Sequence, residues 1–291
     1  MHELVERYGG FMGACDDYRA ADLVLLGAPM DFTVSFRPGT RSGPRRIREV
    51  SEGIEEYSPY LDRDLADYCY YDAGDVVMPF GHVQESLQRL EKTVAVLLGD
   101  GKFPLVLGGE HLVSLAPVRQ AAARHPDLAV LHFDAHADLR GDYLGERLSH
   151  ATVMRRVAEV VGARNVYQFG IRSGTGEEFA FGRENTRFYP FEVLTPLREV
   201  VPLLQGRPVY VTLDIDVVDP AFAPGTGTPE PGGCSAAEIV QALHLLQGLN
   251  VVGMDLVEVC PVYDQSDRTA LLAAKLVREA VLLFGKPVSQ K

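Results

Sequence analysis

The chain is poor in cysteine, in positive charge and in long apolar runs. Its four cysteines (Cys15, Cys69, Cys234, Cys260) stand far apart among 291 residues, with no paired spacing. That pattern sets up neither a disulfide framework nor a thiolate metal motif, and four free thiols in a reducing cytoplasm are the expectation. Basic residues number 28 against 40 acidic ones, a net charge of −12. This balance argues against a nucleic-acid partner and suits a cationic ligand. The longest apolar stretch, Ala270–Phe284, is interrupted by Lys275, Arg278 and Glu279, so no bilayer span is expected. The opening Met-His-Glu-Leu-Val-Glu-Arg has no apolar core behind a positive flank, so no secretory signal is expected either. Repeats, low-complexity tracts and linkers are also missing. The chain is therefore read as one domain over 1–291, with residues 1–20 as a candidate N-terminal arm.

What is present is a large apolar fraction, 46% of residues, enough to bury a sizeable core. Runs rich in Val and Leu read as buried strands: Leu23–Leu26, Pro104–Leu107, Ala129–Phe133, Val166–Phe169, Val209–Leu213 and Val251–Met254. Near-continuous apolar strands belong to a parallel sheet covered on both faces. Between them, amphipathic stretches predict helices over Glu85–Leu98, Ala116–Arg124, Ala151–Val161 and Ala236–Leu246, with a closing helix over Arg268–Phe284. Ser235-Ala-Ala-Glu238 is a capping-box pattern at the start of the fourth. The alternation predicts an α/β fold, a mainly parallel sheet wrapped by helices.

Polar residues gather where these strands end. Gly108-Gly-Glu-His111 follows one strand, Asp134 ends the next, Asp214 ends another, and Asp255 through Glu258 follow a fourth. Ligands of open α/β sheets bind outside the carboxyl ends of the strands. Residues two apart on extended chain share a side, so Asp134, His136 and Asp138 can converge, as can Asp214 and Asp216. Acids and imidazoles crowded together repel and lose charge unless a cation sits among them. His111, Asp134, His136, Asp138, Asp214 and Asp216 are too many ligands for one tetrahedral zinc. They suit two divalent cations bridged by carboxylates, and oxygen-rich ligation without thiolate favours Mn²⁺. Two such ions about 3.5–4 Å apart can hold a hydroxide at neutral pH. Asp219, in Asp219-Pro220, reads as a turn residue. His132, inside its strand, reads as a hydrogen-bonded structural residue. His2, His82, His125 and His244 are left outside the site, and Cys260 reads as a small buried residue.

These segments resemble the ureohydrolases, the family of arginases, agmatinases and other guanidino-hydrolases. The resemblance is carried by Gly108-Gly-Glu-His111, His132-Phe-Asp-Ala-His-Ala-Asp138, Ser149-His150, Asp214-Ile-Asp-Val-Val-Asp-Pro220 and Gly253-Met-Asp-Leu-Val-Glu-Val-Cys-Pro261. It runs from about Leu23 to the final helix. The loops Arg37-Pro-Gly-Thr-Arg-Ser-Gly-Pro44 and Gly225-Thr-Gly-Thr-Pro-Glu-Pro-Gly-Gly233 are most similar to the agmatinase branch. The resemblance implies a three-layer α/β/α sandwich (arginase-like), two Mn²⁺ per subunit, and cleavage of a guanidinium to urea and an amine in a homo-oligomer, trimer or hexamer. It further implies one ion on His111, Asp134, Asp138 and Asp214, and the other on Asp134, His136, Asp214 and Asp216. Asp138 would steady the hydroxide, Glu258 would orient the guanidinium, and His150 would shuttle a proton. Two departures stand out: Gly-Gly-Asp-His is Gly-Gly-Glu-His here, and His150 is followed by Ala151 where many members have Gly.

A small cationic guanidino substrate is the expected partner, with agmatine first, giving putrescine for polyamine biosynthesis. The stretch Leu139–Leu148 lacks the asparagine found in arginases, and its Asp142 and Glu146 suit an amine tail. A guanidino acid such as 4-guanidinobutyrate would instead want Arg140 or Arg147. Two other classes compete. A zinc deacetylase would leave His111, Asp138 and Glu258 without a task, and a non-catalytic metal-stabilised oligomer could dispense with Glu258 and His150. Residues 1–20 and Ser51–Asp67 are candidates for subunit contact or a lid.

Overall fold

A computed structural model describes residues 4–7 and 9–288; the part of the candidate arm at 1–3 and 8 lies outside them. In chain order the strands and helices are β1 (Val5–Glu6), β2 (Leu23–Ala28), α1 (Gly43–Ser51), β3 (Tyr57–Ser58), β4 (Arg63–Asp64), β5 (Tyr70–Val76), α2 (Val83–Gly99), β6 (Phe103–Gly108), α3 (Leu115–Arg124), β7 (Ala129–Phe133), α4 (Val153–Val161), β8 (Val166–Ile171), α5 (Gly176–Asn185), β9 (Arg187–Pro190), α6 (Leu194–Val200), β10 (Pro208–Asp214), α7 (Ala236–Leu245), β11 (Asn250–Val257) and α8 (Arg268–Phe284).

Nine strands form one sheet in the order β1-β5-β2-β6-β11-β10-β7-β8-β9. Every neighbouring pair is parallel except β1 with β5. Side chains alternate across it, as the pleat requires. Leu23 and Leu25 of β2, Leu105 and Leu107 of β6, and Val209, Val211 and Leu213 of β10 enter one core with α1, α6, α7 and α8. Val24, Leu26, Val106 and Tyr210 enter the other with α2, α3 and α4. Each fully buried leucine or valine contributes roughly 1.5–3 kcal/mol. The result is a three-layer α/β/α sandwich.

Several elements have no counterpart among the predicted ones: β1, β3, β4, β5, β9, α1, α5 and α6. In β5 and α1 the reason is charge. Asp72 and Asp75 on β5 interrupt the apolar pattern, and Arg48 of α1 pairs with them at 2.8 and 2.6 Å. Arg48 and Asp72 are buried, and removing one partner of such a pair typically costs about 3–5 kcal/mol.

The cysteine expectation is half overturned. Cys15 and Cys69 are disulfide-bonded across a sequence separation of 54, with Cα atoms 5.5 Å apart, while Cys234 and Cys260 are free. The backbone of Cys15 docks beside β5, its N–H donating to Tyr70 O at 2.8 Å, and that contact is invisible in the spacing. The cytoplasmic reading therefore loses the support of four free thiols. Among the described residues no helix is long and apolar enough to cross a membrane.

Segment 51–67 forms the antiparallel β3–β4 hairpin, held on α8 by Ser58 Oγ donating to Glu279 Oε2 and Arg63 Nη1 donating to Leu282 O, at 2.8 and 2.6 Å.

Candidate metal centre and pocket

β6, β11, β10 and β7 are consecutive at the centre of the sheet. Their carboxyl ends therefore bring Gly109–His111, Glu258, Asp214–Asp216 and Asp134–Asp138 side by side. All six predicted ligands meet there. His111 Nδ1 lies 2.9 Å from Asp134 Oδ2, 3.3 Å from Asp138 Oδ2 and 3.2 Å from Asp214 Oδ2. His136 Nδ1 lies 2.9 Å from Asp216 Oδ2 and 3.5 Å from Asp134 Oδ1.

The local geometry differs from simple extended alternation. Asp138 has φ +52°, and Asp216 sits in a single 3-10 turn, Ile215–Val217, whose backbone N–H at Asp216 donates to Asp214 Oδ1 at 2.8 Å. The acids converge because the chain turns as it leaves each strand. Gly109 is required for close approach: a Cβ there would overlap the Met30 carbonyl. Asp255 does not follow its strand as predicted but lies within β11. Buried beneath the site, it accepts from Thr212 Oγ1, Ser114 Oγ and Tyr210 OH at 2.7, 3.0 and 2.8 Å.

That network assigns the protons. The single Thr212 hydroxyl proton is drawn to the Asp255 carboxylate, so Thr212 Oγ1 accepts from His111 Nε2, 3.0 Å away. His111 Nδ1 is then a bare lone pair facing three carboxylate oxygens. It is buried without a hydrogen-bond partner, as is Asp216 Oδ2. Buried lone pairs pointed at one another are costly; they fit cations placed between them. Two groups of donors that share Asp134 lie close enough to hold an ion, and Asp214 belongs to neither. One of these includes His132, but its ring is committed elsewhere. Gln168 Nε2 donates to His132 Nδ1 at 3.1 Å and to Ala137 O at 2.9 Å, leaving His132 Nε2–H to donate to Asp134 Oδ2 at 2.8 Å. His132 orients Asp134 and keeps no free ring nitrogen for a cation.

Electrostatics agree. Among the protein groups alone, burial and the neighbouring Asp134 push Asp138 up to about 7. Burial, Asp216 and Asp134 push Asp214 well above the carboxylate range. Left without a cation, and against burial, three carboxylates would draw a proton onto His111 and hold its pKa well above the ordinary value, and a cation would take that proton's place. A set of acids that cannot all ionise together is what positive charge would relieve.

A cavity of about 230 Å³ opens from this centre, lined by His111, His136, Asp138, Asp214, Glu258 and His150 on the cluster side and by Arg140, Tyr143 and Glu178 further out. Glu258 adopts φ +65°. Its Oε1 accepts from His111 N at 2.7 Å while its own N–H donates to Gly109 O at 2.8 Å, and burial pushes it up to about 8. His150 offers Nε2 to Ser35 Oγ at 3.2 Å, and its Nδ1 is buried without a partner. Burial holds its ring down to about 4, so it is neutral near pH 7.

The Glu110 departure has a structural role. Its carboxylate does not join the His/Asp cluster but takes both Thr33 N (2.7 Å) and Thr33 Oγ1 (2.9 Å), and Thr33 Oγ1 accepts from His150 N at 3.0 Å. Asp219 is the turn residue expected, accepting from Ala221, Gly232 and Gly233 N–H groups. His244 lies away from the site, bonded to Glu279 at 2.8 Å. Gln168, Thr212, Thr33 and Ser35 were not singled out from sequence. Gln168 and Thr212 could have been, as polar residues inside apolar strands.

A mainly parallel sheet with a buried His/Asp cluster along its carboxyl edge defines a metal-dependent α/β hydrolase, and the family model for the arginase family matches residues 21–283. The agmatinase of Bacillus subtilis is 55% identical over 286 residues, covering 97% of this chain and 99% of that protein. The guanidinobutyrase of Pseudomonas aeruginosa is 38% identical, covering 91% of this chain and 87% of its own. Among solved structures, the agmatine ureohydrolase of Thermoplasma volcanium superposes with a TM-score of 0.86 at 32% identity, covering 95% of this chain and 96% of its own. The chain belongs to the arginase family. It is an enzyme, a ureohydrolase, and within the family it is most like the agmatinases.

Proposed function

We propose that this enzyme hydrolyses agmatine to putrescine and urea, using two manganese ions held by His111, Asp134, His136, Asp138, Asp214 and Asp216. The observation that carries the metal reading is His111 Nδ1, an unpartnered lone pair within 3.3 Å of three carboxylate oxygens. Agmatine is favoured by the 55% identity to a Bacillus agmatinase along nearly the whole chain. Bound divalent cations supply acidified water as a nucleophile and neutralise the crowded acids.

The remaining work falls to side chains. A guanidinium stays protonated at physiological pH, and its delocalised charge makes the central carbon a poor electrophile. Glu258, locked by the His111 N–H, presents its second oxygen to that planar cation and fixes the angle of attack. Asp138, 3.3 Å from His111 in the cluster and at the cavity wall, is placed to accept the proton released as the nucleophile adds. His150, neutral near pH 7, takes that proton from Asp138 at its unpartnered nitrogen and hands it to the departing amine.

The test is reconstitution with Mn²⁺ followed by comparison of urea release from agmatine, arginine and 4-guanidinobutyrate, with metal content measured in parallel. Agmatine should lead by kcat/KM with two ions per chain. Preference for arginine or the guanidino acid removes the substrate assignment, and a single ion in fully active enzyme removes the metal assignment.

A further inference from the structure

Outside its histidines, the cavity wall carries one basic side chain, Arg140. Its Nε approaches Glu178 Oε2 at 3.3 Å, and its guanidinium lies 4.7 Å from the centre of the Tyr143 ring. Glu178 is nearly inaccessible and is placed independently of Arg140. It closes a capping box at the start of α5, taking Thr175 N at 2.8 Å, and it accepts from Leu139 N at 3.1 Å. The carboxylate is thus built into the wall, and the half-exposed arginine is drawn to it.

We infer that the Arg140–Glu178 pair, capped by Tyr143, selects the charge at the far end of the substrate. This rests on the hydrolysis proposed above and deepens it. An agmatine-like substrate reaches outward from Glu258 and ends in an ammonium. A free guanidinium in the wall would repel that group and would bind a carboxylate through paired hydrogen bonds. Paired with Glu178 and lying over an aromatic face, the same arginine has its charge offset and its Nε edge turned to the wall. Discrimination between two tails is a difference of affinities, and here it is achieved by cancelling the group that would favour the wrong one.

The experiment compares metal-loaded wild type with Glu178→Gln, Arg140→Met and the double variant. The substrates are agmatine, 4-guanidinobutyrate and 1-butylguanidine, whose far end is uncharged and which normalises each variant. In Glu178→Gln the normalised agmatine-to-guanidinobutyrate ratio of kcat/KM should fall by about tenfold or more, and adding Arg140→Met should restore it. Arg140→Met alone should raise the ratio. A parallel fall on all three substrates in Glu178→Gln would overturn the inference by marking Glu178 as a loop anchor only. A ratio left low in the double variant would overturn it by making Glu178 the direct partner of the ammonium. An unmoved ratio in Arg140→Met overturns it even if Glu178→Gln fails to fold. Wild type that releases urea with an unmoved ratio across the variants removes the selector alone, whereas wild type that releases none from any substrate removes the hydrolysis itself.

Discussion

The backbone N–H of His111 donates to Glu258 Oε1 at 2.7 Å. One short bond thus ties the residue whose imidazole faces the carboxylate cluster to the acid proposed to face the substrate. Glu258 holds a left-handed φ that is strained for a side-chain-bearing residue, and its N–H anchor on Gly109 keeps it there. The distance between the cluster and the grip on the substrate is consequently set by the main chain of two adjacent strand ends.

Ligands and grip should therefore separate on mutation. Asp134→Ala and Asp214→Ala should lose bound metal and urea release together. Glu258→Ala should retain metal and lose kcat/KM by roughly a hundredfold or more, equivalent to about 3 kcal/mol of charge-assisted hydrogen bonding. Atomic emission and a urea assay on the same preparations check this, and wild-type turnover by either aspartate variant would remove the mechanism.

His132 should matter to metal affinity although it is no ligand. Its Nε2–H fixes Asp134, and Gln168 fixes its tautomer. His132→Phe or Gln168→Leu should weaken metal binding by about 10- to 100-fold, the usual effect of losing an orienting partner. Competition against a chromogenic chelator measures this; affinity equal to wild type in both variants would show that Asp134 needs no such support.

His150 should contribute a pH-dependent term to stability. Burial lowers its folded pKa to about 4 from an ordinary value near 6.5, so the fold favours the neutral ring. That contribution is fully present above about pH 6.5 and is lost as pH falls through about 4. Wild type should therefore lose about 2 kcal/mol more than His150→Gln between pH 6.5 and 4. Urea unfolding at both pH values gives the comparison, and parallel losses in the two proteins would show the ring to be solvated.

Reducing the Cys15–Cys69 bond, or making Cys69→Ser, should lower stability. The bond closes a loop across 54 residues of sequence, for which loop-closure entropy predicts about 4 kcal/mol. Unchanged denaturation midpoints with and without reductant would show that the two thiols are not joined in solution.

Much of the fold was legible because central parallel strands must be apolar on both faces. The predicted strands on β2, β6, β7, β8, β10 and β11 and the helix Arg268–Phe284 fall where expected. Two of the strands left unpredicted lie towards the edges of the sheet: β5 carries aspartates that make sense only once Arg48 is seen beside them, and β9 is a short edge strand beside β8. Asp255 was displaced from its predicted place because β11 continues past the apolar run that marked it.

Which residues are acids and imidazoles at strand ends, and hence that a candidate cation site lay at one sheet edge, was determined by the sequence alone, because apolar runs leave few places for such groups. Tertiary structure decided how they pair. Sheet order sets four chain-distant strand ends next to one another, turns rather than extended chain aim Asp138 and Asp216, and long-range contacts create the Cys15–Cys69 bond, the Thr33–His150 tie and the Arg140–Glu178 clamp. Those contacts join residues that no spacing relates, so only the folded chain could show them.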